Sequence, residues 1–127
     1  MARDASRDER PQVWVGHVTM ATDKLVESNE FMIALGLRPI VLTENVAVLE
    51  LRGGTHLVLL PTENPPKGRA PFDLMVEDLD ATHRELAAKG LEPSAVEPGK
   101  IHSSFAVTDP SGQQVLFNSS HVGDLPV

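Results

Sequence analysis

The sequence predicts an α+β domain made of two βαβββ modules. Three observations carry this. The order strand, helix, strand, strand, strand occurs twice, once on each side of a proline-rich stretch. The tetrapeptide Gly36-Leu37-Arg38-Pro39 returns as Gly90-Leu91-Glu92-Pro93, 54 positions on, at the same point of both element strings. A length of 127 residues suits one hydrophobic core and not two independent ones. The expected organisation is a mobile tail over 1–11, one domain over 12–122 and a short C-terminal tail over 123–127. Within the domain, module 1 spans about 12–61, a linker 62–70, and module 2 about 71–119.

The first strand is expected from Gln12 to Met20. There Val13, Val15, His17 and Thr19 alternate with Trp14, Gly16, Val18 and Met20. Asp23 can cap a helix whose stripe is Leu25, Met32 and Leu35, with Phe31 beside it, and Gly36 stops it. Pro39 to Glu44, Val46 to Arg52 and His56 to Leu60 then read as three strands, separated by Asn45 and by Gly53-Gly54. Pro61, Pro65, Pro66 and Gly68 mark the linker between the modules.

After the linker the pattern begins again. Phe72 to Val76 is a strand. Asp78 or Asp80 caps a helix carrying Leu79, His83, Leu86 and Ala87, closed by Gly90. Glu92 to Glu97, Ile101 to Thr108 and Gln113 to Ser119 complete the module. Asp109-Pro110-Ser111-Gly112 is a turn with proline and glycine at their favoured positions.

Composition bounds the function. The chain has no cysteine, which excludes disulfides, thiolate metal sites and a cysteine nucleophile. Its formal net charge is −7, and the charges of the first ten residues cancel, so the excess sits on the folded part. An acidic surface repels phosphates and argues against nucleic acid as a partner. It attracts cationic small molecules and also keeps a protein soluble. No apolar run reaches the ~20 residues that a membrane span needs, and the opening MARDASRDERPQ lacks the apolar core of a secretory signal. A soluble cytoplasmic protein without membrane partners is the expectation. No P-loop, Gly-x-Ser-x-Gly, His-Glu-x-x-His or dinucleotide fingerprint is present.

Several local strings resemble the vicinal oxygen chelate superfamily of glyoxalases, bleomycin resistance proteins and extradiol dioxygenases. They are Val15-Gly16-His17-Val18-Thr19-Met20, then Ser28, Phe31 and Leu35-Gly36-Leu37, then Val76-Glu77-Asp78-Leu79-Asp80, and Val107-Thr108-Asp109-Pro110-Ser111-Gly112-Gln113. The resemblance covers about residues 13–119, and its motifs are specific to the fold rather than to one reaction. It implies that the mixed sheets of the two modules curve into a cup that binds a small molecule, and that chains pair as homodimers. In the enzymes of the group the first, fourth, fifth and eighth strands supply metal ligands. Carried over, those positions fall on His17, near Leu59, on Pro71 and on Leu116. One donor of four remains, so no metal and no other cofactor is expected.

The resemblance and the alternation of the strands together place His17, Thr19, Leu57, Leu59, Asp73, Met75, Gln114, Leu116 and Asn118 around the cup as ligand-binding residues. Catalytic residues are not assigned. His56 is expected on the helix side of its strand, opposite Leu57 and Leu59, and Glu50 as a strand end in solvent. His83 is read as a boundary residue of its helix. His102 and His121 are expected to face each other at the open end of the last hairpin, where two imidazoles could hold a metal or an anion. The resulting expectation is a metal-independent small-molecule binder. The alternatives are a metal-dependent lyase, isomerase or dioxygenase that uses His17 with other ligands, and a non-catalytic subunit.

Overall fold

The computed structural model describes residues 8–120 and 123–127. The first module holds β1 (His17–Thr22), α1 (Leu25–Leu35), β2 (Arg38–Leu42), β3 (Ala47–Glu50) and β4 (His56–Pro61). Its sheet has the order β1-β4-β3-β2, with β4 parallel to β1 and the other neighbours antiparallel. The second holds β5 (Gly68–Val76), α2 (Leu79–Ala88), β6 (Ser104–Thr108) and β7 (Gln113–Ser119), in the order β5-β7-β6. No helix among the described residues is long and apolar enough to cross a membrane.

The first ladder starts at His17 rather than at Gln12. Upstream of it the chain is held by Gly16 O, which accepts from His56 N, and by Val15 O, which accepts from the Thr55 hydroxyl. The side chains of Val13, Trp14 and Val15 remain exposed. Asp23 does not cap α1. Thr22 does the local work, its hydroxyl accepting the Lys24 N–H at 3.0 Å. At the other end Gly36 takes φ 115°, and Gly36 N and Leu37 N donate to Ile33 O and Met32 O. That left-handed turn carries no Cβ penalty in glycine.

In the second module β5 begins at Gly68, earlier than Phe72, because Gly68 and Arg69 pair with Gln113 and Gln114. Asp78 caps α2, its carboxylate accepting from Ala81 N at 2.9 Å. The segment expected as a strand from Glu92 to Glu97 forms no continuous ladder. Pro93 has no N–H to give, and Glu92 sits at φ 53°. Ser94 and Glu97 still bond to Ala106 and Ser104, so the segment lies along β6 in the place of a fourth strand.

Each sheet buries one face. Met20, Leu49, Leu57 and Leu59 meet Phe31, Met32 and Leu35 of α1. Leu74, Phe105, Val107, Val115 and Phe117 meet Leu79 and Leu86 of α2. Phe105 and Phe117 are cross-strand partners with stacked rings 5.0 Å apart. Burying each such side chain contributes about 1.5–3 kcal/mol, which is why this face sets the register.

β1 packs beside β5, but no ladder joins them. The modules are tied instead by their turns. The β6–β7 turn reaches the β1–α1 junction, where Gln113 Nε2 donates to Ala21 O at 2.7 Å and Ser28 Oγ donates to Asp109 Oδ2. The short 3-10 turn at Arg52–Gly54 reaches the β5–α2 junction, where Arg52 pairs with Glu77 at 3.0 Å. This reciprocity agrees with the repeat seen in the sequence.

Candidate functional site

The faces turned away from the helices carry the polar and ionisable side chains. On the first sheet the ladder registers define two rows. Arg38 lies opposite Glu50, Glu50 opposite His56, and His56 opposite His17. The next row is Val41, Val48, Val58 and Thr19. On the second sheet Asp73 is in register with Leu116 and Ala106, and Met75 with Asn118 and Ser104. Since β1 and β5 lie side by side, the two outward faces adjoin.

A shallow hollow of about 240 Å³ opens on the second sheet. Arg69, Pro71, Asp73, Gln114 and Leu116 are among the residues that line it. The hollow therefore gathers three of the expected site residues: Asp73, Gln114 and Leu116. Met75 and Asn118 follow on the same face, and His17 and Thr19 occupy the outward face of β1.

Leu57 and Leu59 do not belong to this surface, which corrects the expectation from the sequence. Both are 0% exposed and pack in the core against α1. The cause is strand parity. His56 is the register partner of His17, so His56, Val58 and Leu60 face outward and the leucines between them face in. Leu60 is 42% exposed. The same parity moves His56 from the helix side to the outward face.

Glu50 is not a solvent-facing strand end. Its Oε1 takes a hydrogen bond from the Arg38 guanidinium, and its Oε2 lies 3.1 Å from His56 Nε2. The Arg38 hydrogen bond, opposed by partial burial and helped by His56, holds the Glu50 carboxyl below the usual carboxylate range. The rings of His17 and His56 stack at 5.6 Å with 30° between their planes. A sequence signal for this row existed. Glu50 and His56 stand equally far from Gly53, the centre of the turn, and so must pair across it.

The other histidines lie apart. His83 sets Nε2 2.9 Å from Ser94 O and meets Phe105 edge-on at 5.1 Å, as a boundary residue does. His102 Nδ1 is enclosed without a partner among the described residues. The expected His102–His121 pairing falls on a residue, His121, that lies outside the described ones.

The donor set does not fit a divalent metal of the kind expected for the family enzymes. Pro71 and Leu116 offer no ligand atom, and on β4 neither Leu59 nor its outward neighbour Leu60 does. Among the described residues no three His, Asp or Glu side chains are placed to hold an ion.

The chain pairs two α+β modules whose outward sheet faces are open. Residues 14–117 match the model of the Glyoxalase/Bleomycin resistance protein/Dioxygenase superfamily, and the chain belongs to that family. A lactoylglutathione lyase from Agrobacterium tumefaciens is similar in structure, with a TM-score of 0.73 at 16% identity, over 87% of this chain and 96% of that one. TnmS3, an antibiotic binding protein from Streptomyces sp. CB03234, gives 0.72 at 16% identity over 84% and 95%. A bleomycin-binding protein in complex with bleomycin gives 0.68 at 14% identity over 87% and 100%. These likenesses show the fold. No curated protein matches the sequence.

Proposed function

We propose that the protein binds a neutral or cationic amphipathic small molecule without a metal, in a cup lined by the outward faces of β1, β4, β5 and β7. The observation that carries the reading is the chemistry of those faces. Apolar Val58, Leu60, Met75 and Leu116 stand among polar His17, Thr19, Asp73, Gln114 and Asn118, and three of the positions carried over from the family as metal ligands, near Leu59, at Pro71 and at Leu116, offer no donor atom. Apolar surface supplies burial, and the few polar groups fix orientation. Asp73 and the net charge of −7 favour a cation over an anion. The antibiotic-binding neighbours supply a precedent for ligand capture on this fold.

The reading includes a homodimer. β2 is the outer strand of its sheet, and its Ile40 and Leu42 are exposed, as are Val13, Trp14 and Val15 ahead of β1. A second copy would cover these edges.

The test is native mass spectrometry of protein prepared without a histidine tag, paired with elemental analysis. The expected result is a retained organic molecule and no stoichiometric zinc, nickel, manganese or iron. Stoichiometric metal that disappears in His17→Ala would overturn the reading in favour of a metal enzyme.

A further inference from the structure

The row Arg38, Glu50, His56, His17 crosses all four strands of the first sheet, and hydrogen bonds order most of it. Arg38 neutralises Glu50 and keeps it ionised. An ionised carboxylate only accepts hydrogen bonds. In the neutral imidazole, the contact between Glu50 Oε2 and His56 Nε2 places the ring hydrogen on Nε2 and leaves the lone pair on Nδ1. His56 Nδ1 has no protein partner among the described residues and is not enclosed. His17 stands beside it from β1. The neighbouring row is apolar, with Val48 and Val58 half-buried and Val41 exposed.

We propose that His56 Nδ1 accepts a hydrogen bond from an acidic hydroxyl, a phenol or an enol, of a ligand whose apolar body lies over Val58 and Val48. This rests on the cup reading and names the chemical class of its ligand. A lone-pair acceptor selects a donor. A carboxylate at neutral pH has none. A hydroxyl has one, and its bond to a nitrogen acceptor strengthens with its acidity. Glu50 and Arg38 are positioning residues here. Glu50 orients the ring and fixes the tautomer, and Arg38 keeps Glu50 in place.

The probes are phenol, para-cyanophenol and para-cyanoanisole, the methyl ether that keeps shape and loses the donor. Binding is followed by amide shifts in NMR, at a pH where both phenols stay neutral. The unaltered protein is expected to bind para-cyanophenol about tenfold more tightly than the ether, with phenol between them. His56→Ala abolishes the preference. Glu50→Gln weakens it and mixes the His56 tautomers in long-range nitrogen spectra, whereas the unaltered protein shows hydrogen on Nε2 alone. His83→Ala leaves the preference unchanged. Equal binding of phenol and ether would end the proposal and leave the cup as an apolar site. Persistence of the preference in His56→Ala, or hydrogen on Nδ1 in the unaltered protein, would also end it. Binding of none of the three would end it and count against the cup itself.

Discussion

Ser28 and Asp109 are 81 positions apart in the chain, yet the Ser28 hydroxyl donates to Asp109 Oδ2 at 3.0 Å with both side chains buried. Asp109 is 1% exposed, and the same oxygen also accepts from Ser111 N at 2.8 Å and from the Ser111 hydroxyl. Thr22 joins through a 2.7 Å bond to Ser28. A carboxyl oxygen taken out of water is tolerable only with such partners.

Removing the Ser28 hydroxyl should therefore cost more than its size suggests. Ser28→Ala is expected to lower the unfolding free energy by about 1–3 kcal/mol, because a buried carboxyl oxygen loses a donor. Urea unfolding measures it. Glu77→Gln is the comparison, since its exposed pairing with Arg52 is worth at most ~1 kcal/mol. Equal effects would show that the buried contact does not join the modules.

The parity of β4 separates two neighbouring leucines. Leu57→Ala should destabilise by about 2–5 kcal/mol through loss of core packing. Leu60→Ala should stay within about 0.5 kcal/mol of the unaltered protein, as outward substitutions do. Reversal of that order would put the wrong face of the sheet in the core.

Glu50 gives a pH prediction. Its carboxyl lies below the ordinary value of 4.5 in the fold, so its contribution to stability is full above that value. The contribution is lost as pH falls through the lower folded value. Side-chain NMR should show Glu50 titrating below the exposed glutamates. Arg38→Met should move that titration upward. No movement would mean that the ion pair does not form in solution.

The dimer can be checked by light scattering. The expected mass is twice that of the chain, and Trp14→Glu or Leu42→Glu should shift the equilibrium toward single chains. Trp14 is 70% exposed in the lone chain, more than a large indole ordinarily shows. A single-chain mass for the unaltered protein would remove the homodimer from the proposed function.

Much of the fold was legible because periodicity and turn residues act locally. Gly36, Asp78 and the Asp109–Gly112 turn stand where the sequence puts them. The second-module segment after Gly90 was less legible, because the cost of Pro93 and of the left-handed Glu92 to a ladder depends on what lies alongside. The outward faces of β1, β5 and β7 were legible in the alternation, and that of β4 was misread. His56-Leu57-Val58-Leu59-Leu60 is apolar on both faces, so alternation alone gives no direction. The ladder to β1 decides it, and that pairing is non-local. The Arg38–Glu50–His56–His17 row was missed for the same reason: its members come from four strands.

The absence of a ladder between β1 and β5 has an evolutionary consequence. Inside a sheet, changing the spacing of two strands breaks a series of amide bonds together. Across this seam no backbone ladder has to be kept, so a substitution there can widen or narrow the gap by small increments while every hydrogen-bonded register stays as it was. The width of the proposed cup then becomes a property that point mutation can tune one step at a time.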